Sequence, residues 1–379
     1  MVIVFLSNYV NHHQVPLADV FYGMPNVSYT FIATQEMYDW RKQLGYPDFS
    51  DRPYVLNSFE SKEKYDEAIS LINDADVLIV GSAPESMIVQ RLKRDKLTFR
   101  YSERWFKKRK WYMLGLRGLY NIYMNHYRYR NKNLYMLAAS AYTANDVSHF
   151  FLYPNKIFKW GYFPRVDTND MYLIRRNNNL NREKVSLMWC SRFIDWKHPE
   201  MPIKIAKRLK DEGYDFILNM YGNGEKLEEM RSLASMLLVE DVVAFHGSKP
   251  NEEIIHLMQE HDIFLFTSDK NEGWGAVLNE SMSCGCAVVV SDMIGAAPFL
   301  IENNKNGLLF KSGNVESLYA QVKRLFDDEV LRTTISDNAI YTMKNVWNPV
   351  VAAERLVHLA NRLLHNMDTD YIDGPCSKA

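Results

Sequence analysis

Hydrophobic and polar positions alternate along this chain in two registers. Short runs rich in β-branched and aromatic residues, Val2–Leu6, Val27–Ala33, Asp76–Val80, Leu97–Arg100 and Tyr135–Ala139, read as buried strands. Between them, Val15–Tyr22, Ser61–Ile72 and Glu85–Arg94 carry the helical spacing of apolar residues. Strand and helix in alternation predict a parallel sheet covered by helices. The pattern breaks over Phe163–Asn181, a polar, Asn-rich stretch with one proline that reads as a domain linker. It then resumes with strands at Val185–Cys190, Phe216–Tyr221, Val242–Phe245, Ile263–Thr267, Ala287–Ser291 and Gly307–Phe310. Asn348–Leu364 reads as one amphipathic helix, with Val351, Leu356, Leu359 and Leu363 or Leu364 on a common face. The polar stretch 368–379 reads as a disordered tail.

The expected organisation is therefore two Rossmann-like α/β domains, over 1–165 and 182–345, followed by a helical element over 346–366. A chain of 379 residues is long enough for two cores. Two doubly wound domains should face each other across a cleft at the carboxyl ends of their strands, where ligands of such sheets bind.

Composition narrows the partners. A formal net charge of -1 gives the whole chain no argument for nucleic-acid binding. The four cysteines, Cys190, Cys284, Cys286 and Cys376, form neither a CxxC pair nor a metal-spaced set with histidine, and read as small buried hydrophobes in a reducing compartment. The opening MVIVFLSNYV lacks a basic region and reads as a strand rather than a signal peptide. No run approaches the roughly 20 apolar residues that span a bilayer. A cytoplasmic protein is expected.

The chemistry concentrates in Glu272–Gly273–Trp274–Gly275–Ala276–Val277–Leu278–Asn279–Glu280, which follows the strand Ile263–Thr267. A helix should start near Ala276 and end at Gly285. Glu272 then lies in the loop and Glu280 about 6 Å along the helix axis, at ~1.5 Å per residue. Two carboxylates so placed can bracket an extended diphospho-sugar, one taking sugar hydroxyls and the other ribose hydroxyls. Gly273 and Gly275 permit close backbone approach, and the free N–H groups of the helix start favour a phosphate. A Glu pair at this spacing also arises by chance as two surface charges. A second constellation, Trp189 to Pro199, follows the strand Val185–Cys190. In it Arg192 can grip a phosphate through a bidentate fork, and Lys197 adds a compact charge. Together they can neutralise a departing nucleoside diphosphate without a metal.

Residues Lys184 to about Glu329 resemble the C-terminal domain of retaining GT-B glycosyltransferases. The resemblance rests on Arg192 and Lys197, on YGNGE (Tyr221–Glu225), on FHG (Phe245–Gly247), on the EGWG…NESMSCGCAVVVSD block and on NNKNGLLF. It implies a GT-B fold whose final helix crosses back onto the first domain. It implies that Glu272 contacts the donor sugar, Glu280 the ribose, and Arg192 with Lys197 the diphosphate. Gly222, Ser248, Lys249, Gly273, Trp274 and Gly275 would complete the donor site, Ser248 and Lys249 lining the base. Trp274 stands where relatives often have Phe, a departure that would reshape the sugar pocket. The implied reaction moves a hexosyl group from a nucleoside diphosphate sugar, UDP foremost, to a hydroxyl of a glycan or lipid-linked glycan with retention. The leaving phosphate helps to take the acceptor proton, so no protein nucleophile is assigned. Glu272, Arg192 and Lys197 are the expected catalytic set, with no cofactor and no metal.

The N-terminal half matches less closely. Many relatives have a Gly-rich loop after the first strand, and here Ser7–Gln14 carries no glycine. His12 or His13 can touch acceptor or donor there, or can serve as ordinary capping or partly buried histidines. Glu103 lies where relatives often place a donor-contacting histidine and is a candidate for the cleft. Arg100–Arg130 holds nine Lys or Arg (Arg100, Arg104, Lys107, Lys108, Arg109, Lys110, Arg117, Arg128, Arg130) against one acid, Glu103, with aromatics interleaved. Such a segment can dock peripherally on anionic lipid, track a single strand of nucleic acid, or be a solvated helix with its aromatics in the core. With the resemblance, membrane contact is the expectation and nucleic acid is not. Rival readings are a nicotinamide-dependent oxidoreductase, which would need a third glycine after Gly222–Asn223–Gly224, a nucleotide-sugar epimerase, and a non-catalytic carbohydrate- or lipid-binding protein. Product analysis with donor alone separates an epimerase from a transferase.

Overall fold

The computed structural model describes residues 1–39, 41, 47–107, 115–165 and 184–379. In chain order the first half runs β1 (Val2–Ser7), α1 (Val15–Gly23), β2 (Ser28–Ala33), β3 (Val55–Asn57), α2 (Lys62–Asp74), β4 (Val77–Val80), α3 (Val89–Lys93), β5 (Thr98–Ser102), α4 (Leu116–Asn125), β6 (Leu134–Ala138), α5 (Thr143–Ser148) and β7 (Ile157–Lys159). The second half runs β8 (Val185–Cys190), α6 (Glu200–Asp211), β9 (Phe216–Tyr221), α7 (Leu227–Met236), β10 (Val243–Phe245), α8 (Asn251–Gln259), β11 (Ile263–Phe266), α9 (Val277–Ser283), β12 (Ala287–Ser291), α10 (Ala297–Leu300), β13 (Leu308–Phe310), α11 (Val315–Asp327), α12 (Glu329–Asn345) and α13 (Pro349–Leu364).

The chain divides into two compact units, Met1–Arg165 with Trp347–Ala379, and Val166–Val346. In the first, a seven-stranded parallel sheet is ordered β3-β2-β1-β4-β5-β6-β7. In the second, a six-stranded parallel sheet is ordered β10-β9-β8-β11-β12-β13. Both are doubly wound, and their central strands are apolar runs because helices cover both faces. The two strands not anticipated, β3 and β7, are three-residue edge strands.

The first unit is closed by residues from far along the chain. Asn348 caps α13 by accepting from the Val351 amide at 2.9 Å, and Pro349 fits the first turn, where no N–H partner is needed. Ala352, Ala353, Leu356, Leu359, Ala360 and Leu363 form its buried face, and the helix packs on α1. Leu364 is left 46% exposed. The alanines on that face let the two helices approach closely.

Residues 368–379 are ordered, against the expectation of a disordered tail. The β7 edge presents unpaired backbone groups, and the terminal segment supplies their partners. The Lys159 amide donates to the Ser377 carbonyl at 2.7 Å, Cys376 N–H to the Lys159 carbonyl at 2.8 Å, and Ala379 N–H to the Ile157 carbonyl at 3.2 Å. Phe158 and Lys378 form an antiparallel bridge, and Cys376 and Ser377 are wholly buried. A polar composition conceals this because the gain is in backbone pairing.

Arg100–Arg130 does not present its charge as one surface. Arg100 is buried and gives a bidentate pair to Glu85 at 2.7 and 2.8 Å, plus a bond to the Asn125 carbonyl at 2.7 Å. Arg104 is buried over the Tyr142 ring, 4.6 Å from its centroid, with Asp146 at 3.8 Å. Trp105 belongs to the core, and Lys107 pairs with Glu103. Lys108, Arg109, Lys110, Trp111 and Tyr112 lie outside the described residues. Along α4, Leu116, Leu119, Tyr120 and Tyr123 are exposed beside Arg117 and Asn121, while Ile122 alone on this helix is buried.

Deleting residues 374–379 should lower stability by about 3 kcal/mol, the sum of a few backbone hydrogen bonds and the burial of Cys376. Equilibrium urea unfolding of the truncated and full chains measures this directly.

Candidate active site

The second unit gathers its chemistry at the carboxyl ends of β8, β9 and β11. After β8 the chain turns at Ser191, whose amide donates to the Tyr221 carbonyl at 3.1 Å, and Phe193 N–H donates to the Asn223 carbonyl at 3.0 Å. These loops lie backbone against backbone. A Cβ on Gly222, which has φ +130°, would stand 1.8 Å from the Ser191 carbonyl oxygen, so no side chain fits. The Gly222 amide continues the stack to the Gly247 carbonyl at 2.8 Å.

A turn over Asp195–Lys197 carries Lys197, and it is clasped to the end of β11. The Thr267 hydroxyl donates to the Lys197 carbonyl at 2.7 Å and accepts the Trp189 indole N–H at 2.9 Å. Asp269 N–H adds a bond to the Trp196 carbonyl at 3.0 Å. The Lys197 side chain is thereby fixed, 4.3 Å from the Trp196 ring centroid and 5.8 Å from that of Phe266. Its ammonium forms an ion pair with Glu272, both side chains almost fully buried. The two groups that sequence reasoning assigned to diphosphate and sugar thus neutralise each other in the free protein. Arg192 is exposed at 5.9 Å from the Trp196 ring and has no carboxylate partner among the described residues.

Gly275 makes the Glu272 loop possible. Its φ is +92°, and a Cβ there would meet the Phe266 ring at 2.7 Å and Glu272 Cγ at 3.2 Å. The chain then enters α9, which holds Glu280 in its fourth position. Glu280 is 7% exposed, and burial pushes its pKa up to about 7, relieved in part by a hydrogen bond from Asn251. Cys190 lies close by, pushed up to about 12 by burial and then by the Glu280 charge, with Lys197 opposing. A buried carboxylate with an amide partner and no paired cation is costly to the fold alone.

Trp274 corrects an expectation. It is 1% exposed, and its indole N–H donates to Asn279 Oδ1 at 2.9 Å, so it supports α9 from the core and offers a donor sugar no polar atom. Gly273 is buried beside it. Ser248 and Lys249 are exposed after β10, Lys249 pairing with Glu253 at 2.8 Å. Sequence reasoning passed over Asn251, Thr267 and the stacked Tyr221–His246 pair, whose centroids are 4.7 Å apart. His246 was visible within FHG. Thr267 was not, because a lone threonine at a strand end carries no signal.

In the first unit, the structure joins His13 to Glu103 through Tyr162. The His13 and Tyr162 centroids are 5.5 Å apart, and the Tyr162 hydroxyl donates to Glu103 at 2.9 Å. His12 lies ring to ring with His13 at 3.8 Å. Desolvation, then Arg41, lowers His12 to about 4; desolvation, then His12 and Arg41, lowers His13 to about 3. Both histidines are neutral at physiological pH.

Residues 170–341 match the family described as glycosyl transferases group 1. An uncharacterized glycosyltransferase of Methanocaldococcus jannaschii is 29% identical over 185 residues, 48% of this chain and 47% of its own length. The N,N'-diacetylbacillosaminyl-diphospho-undecaprenol alpha-1,3-N-acetylgalactosaminyltransferase of Campylobacter jejuni is 29% identical over 207 residues, 54% of this chain and 52% of its own. The chain thus spans about half the length of these curated relatives. Among solved structures, Anabaena HepE in complex with UDP aligns with a TM-score of 0.69 at 15% identity, over 97% of this chain and 100% of that one. WaaG, a glycosyltransferase involved in lipopolysaccharide biosynthesis, aligns at 0.59 and 15%, over 93% and 99%. The fold of this chain is GT-B.

Glu280→Gln should stabilise the free protein at pH 8 by about 3 kcal/mol, since a carboxyl raised from 4.5 to about 7 binds its proton more tightly folded than unfolded. The burden is absent below pH 4.5, grows as pH rises to 7, and is constant above. Thermal unfolding of both proteins from pH 4.5 to 8 tests this. A gain independent of pH would show that Glu280 is not desolvated.

Proposed function

From a C-terminal unit that is a group 1 glycosyltransferase domain, we propose that this chain is a retaining hexosyltransferase. Its donor is a nucleoside diphosphate sugar, with UDP as the first nucleotide to try. Its acceptor is a hydroxyl of a glycan or lipid-linked glycan in cell-surface assembly. The observation that carries the reading is the triplet Lys197, Glu272 and Glu280 in one unit, the first two paired and the third buried in α9 with no cation partner among the described residues. A diphosphate replaces Glu272 as the partner of Lys197, with Arg192 closing from the exposed side. Glu272 is then free to accept from sugar hydroxyls, and Glu280 from the ribose. HepE with UDP and WaaG in lipopolysaccharide biosynthesis point the same way.

As the bond from the anomeric carbon to the phosphate oxygen breaks, the electron pair leaves with the nucleoside diphosphate. Arg192 and Lys197 stabilise that charge. The acceptor oxygen bonds to the same face of the sugar and passes its proton to the departing phosphate. In this reading no protein nucleophile and no metal is assigned, because Arg192 and Lys197 supply the positive charge.

Isothermal calorimetry with UDP should show binding that persists in EDTA and weakens about tenfold in Glu280→Gln, the value of one charge-assisted hydrogen bond. Absence of UDP binding, or a requirement for Mg²⁺ or Mn²⁺, would overturn this assignment.

A second surface completes the reading. Leu116, Leu119, Tyr120 and Tyr123 repeat at helical spacing on the exposed face of α4, with exposed Arg117 and Arg128 nearby in sequence. An amphipathic helix of this make-up lies in the plane of an anionic membrane, apolar face down. Among the described residues no helix is long and apolar enough to cross one. The protein should sediment with anionic liposomes at low salt and be released at high salt, and Leu116→Glu with Tyr120→Glu should abolish binding. Equal partitioning to neutral vesicles, or no binding at low salt, would remove the membrane from this proposal.

A further inference from the structure

His198 follows Lys197 directly and adopts φ 49°, ψ 56°, a left-handed conformation uncommon outside glycine that asparagine, aspartate and histidine enter more readily than other residues. Here the ring reaches two carboxylates on different segments. Nδ1 stands 3.2 Å from Glu200 Oε1, at the start of α6. Nε2 stands 3.7 Å from Asp269 Oδ2, in the loop after β11.

We propose that His198 is a positioning residue, an imidazolium clamp that fastens the Lys197 turn to the loop carrying Glu272. This rests on the donor reading above only for what the clamp serves; the clamp itself is a matter of geometry. A neutral imidazole carries one N–H, whereas the cation presents one to each side, as a hydrogen bond to Glu200 and an ionic contact with Asp269. Asp269 is in turn the hub of its loop. Its side chain accepts the Asn271 amide at 2.8 Å, and its carbonyl accepts Glu272 N–H at 3.0 Å. Holding Asp269 therefore sets where Glu272 begins, from the residue next to its ionic partner.

The charges facing the ring are Glu200 from α6 and Asp269 from the β11 loop, with Lys204 further along α6 acting on Glu200. The Glu200 hydrogen bond and charge, then those of Asp269, raise the His198 pKa against the opposing effect of burial. The clamp is thus fully engaged below the ordinary histidine range and is lost as pH rises through the raised value. Once the ring is neutral, its one N–H stays on Nδ1 with Glu200, the closer partner, and Nε2 turns a lone pair toward Asp269, which releases that loop.

Two variants separate the side chain from the backbone. His198→Gly favours the left-handed turn and His198→Asn tolerates it, while neither can carry the charge. Amide hydrogen exchange over residues 269–272, corrected for intrinsic rates, should be about fivefold faster in both variants at pH 6, the upper end for a partly exposed ion pair. In the wild type it should accelerate toward the variant rate as pH rises, with β11 itself unaffected in all three proteins. Exchange that is the same in wild type and variants, or a wild-type rate without pH dependence, overturns the clamp. UDP calorimetry run alongside keeps the two ideas apart. Failure of UDP to bind any of the three proteins removes the donor reading, while the exchange data still decide the clamp.

Discussion

At the carboxyl end of β11 one buried hydroxyl joins segments that are remote in sequence. Thr267 takes the indole proton of Trp189, from the strand next to its own, and gives its own proton to the carbonyl of Lys197. Each partner lies in a loop or strand end that would otherwise have an unsatisfied polar group in an apolar setting, which is expensive. The hydroxyl satisfies them together. It also fixes the height of the Lys197 turn above the sheet, and with it the ammonium that meets Glu272. A valine of the same shape would fill the space and leave two partners unpaired.

Around that anchor the site is a set of local compromises. Glu280 is buried with no cation partner among the described residues, His198 sits in a left-handed turn, and Gly222 and Gly275 give up side chains so that loops can touch. None of these choices improves the stability of the unit. They occur together at one end of one sheet, while the middle of the same strands packs apolar side chains such as Leu187, Leu218 and Ile263. The sheet interior supplies stability that the rim consumes.

How much of this was legible in advance follows from length and locality. Strands such as Phe216–Tyr221 and Ala287–Ser291 stand at the positions their apolar runs mark, because a central parallel strand is apolar on both faces. Glu272 and Glu280 announce themselves through glycines and a helix start within nine residues of sequence. What escaped notice depends on partners far away. Arg100 and Arg104 look like surface charge until Glu85 and Asp146 are placed beside them. Trp274 looks like a pocket wall until Asn279 takes its N–H. The order of residues 368–379 comes from a sheet edge about 220 residues earlier in the chain, and Tyr162 reaches Glu103 across 59 residues.

The first unit is discontinuous, and this has a consequence for how the protein is made. Its opening helix α1 packs against α13, and its outermost strand β7 pairs with residues beyond α13. The second unit is a single uninterrupted stretch of chain. Domains ordinarily fold in the order in which a ribosome releases them. Here that order is inverted: the unit begun first has to wait, with the α13 side of α1 and the edge of β7 uncovered, until the whole second unit has emerged. During that interval the nascent chain offers an apolar helix face and an open strand edge, the two surfaces that chaperones hold and that neighbouring chains on a crowded polysome would otherwise share.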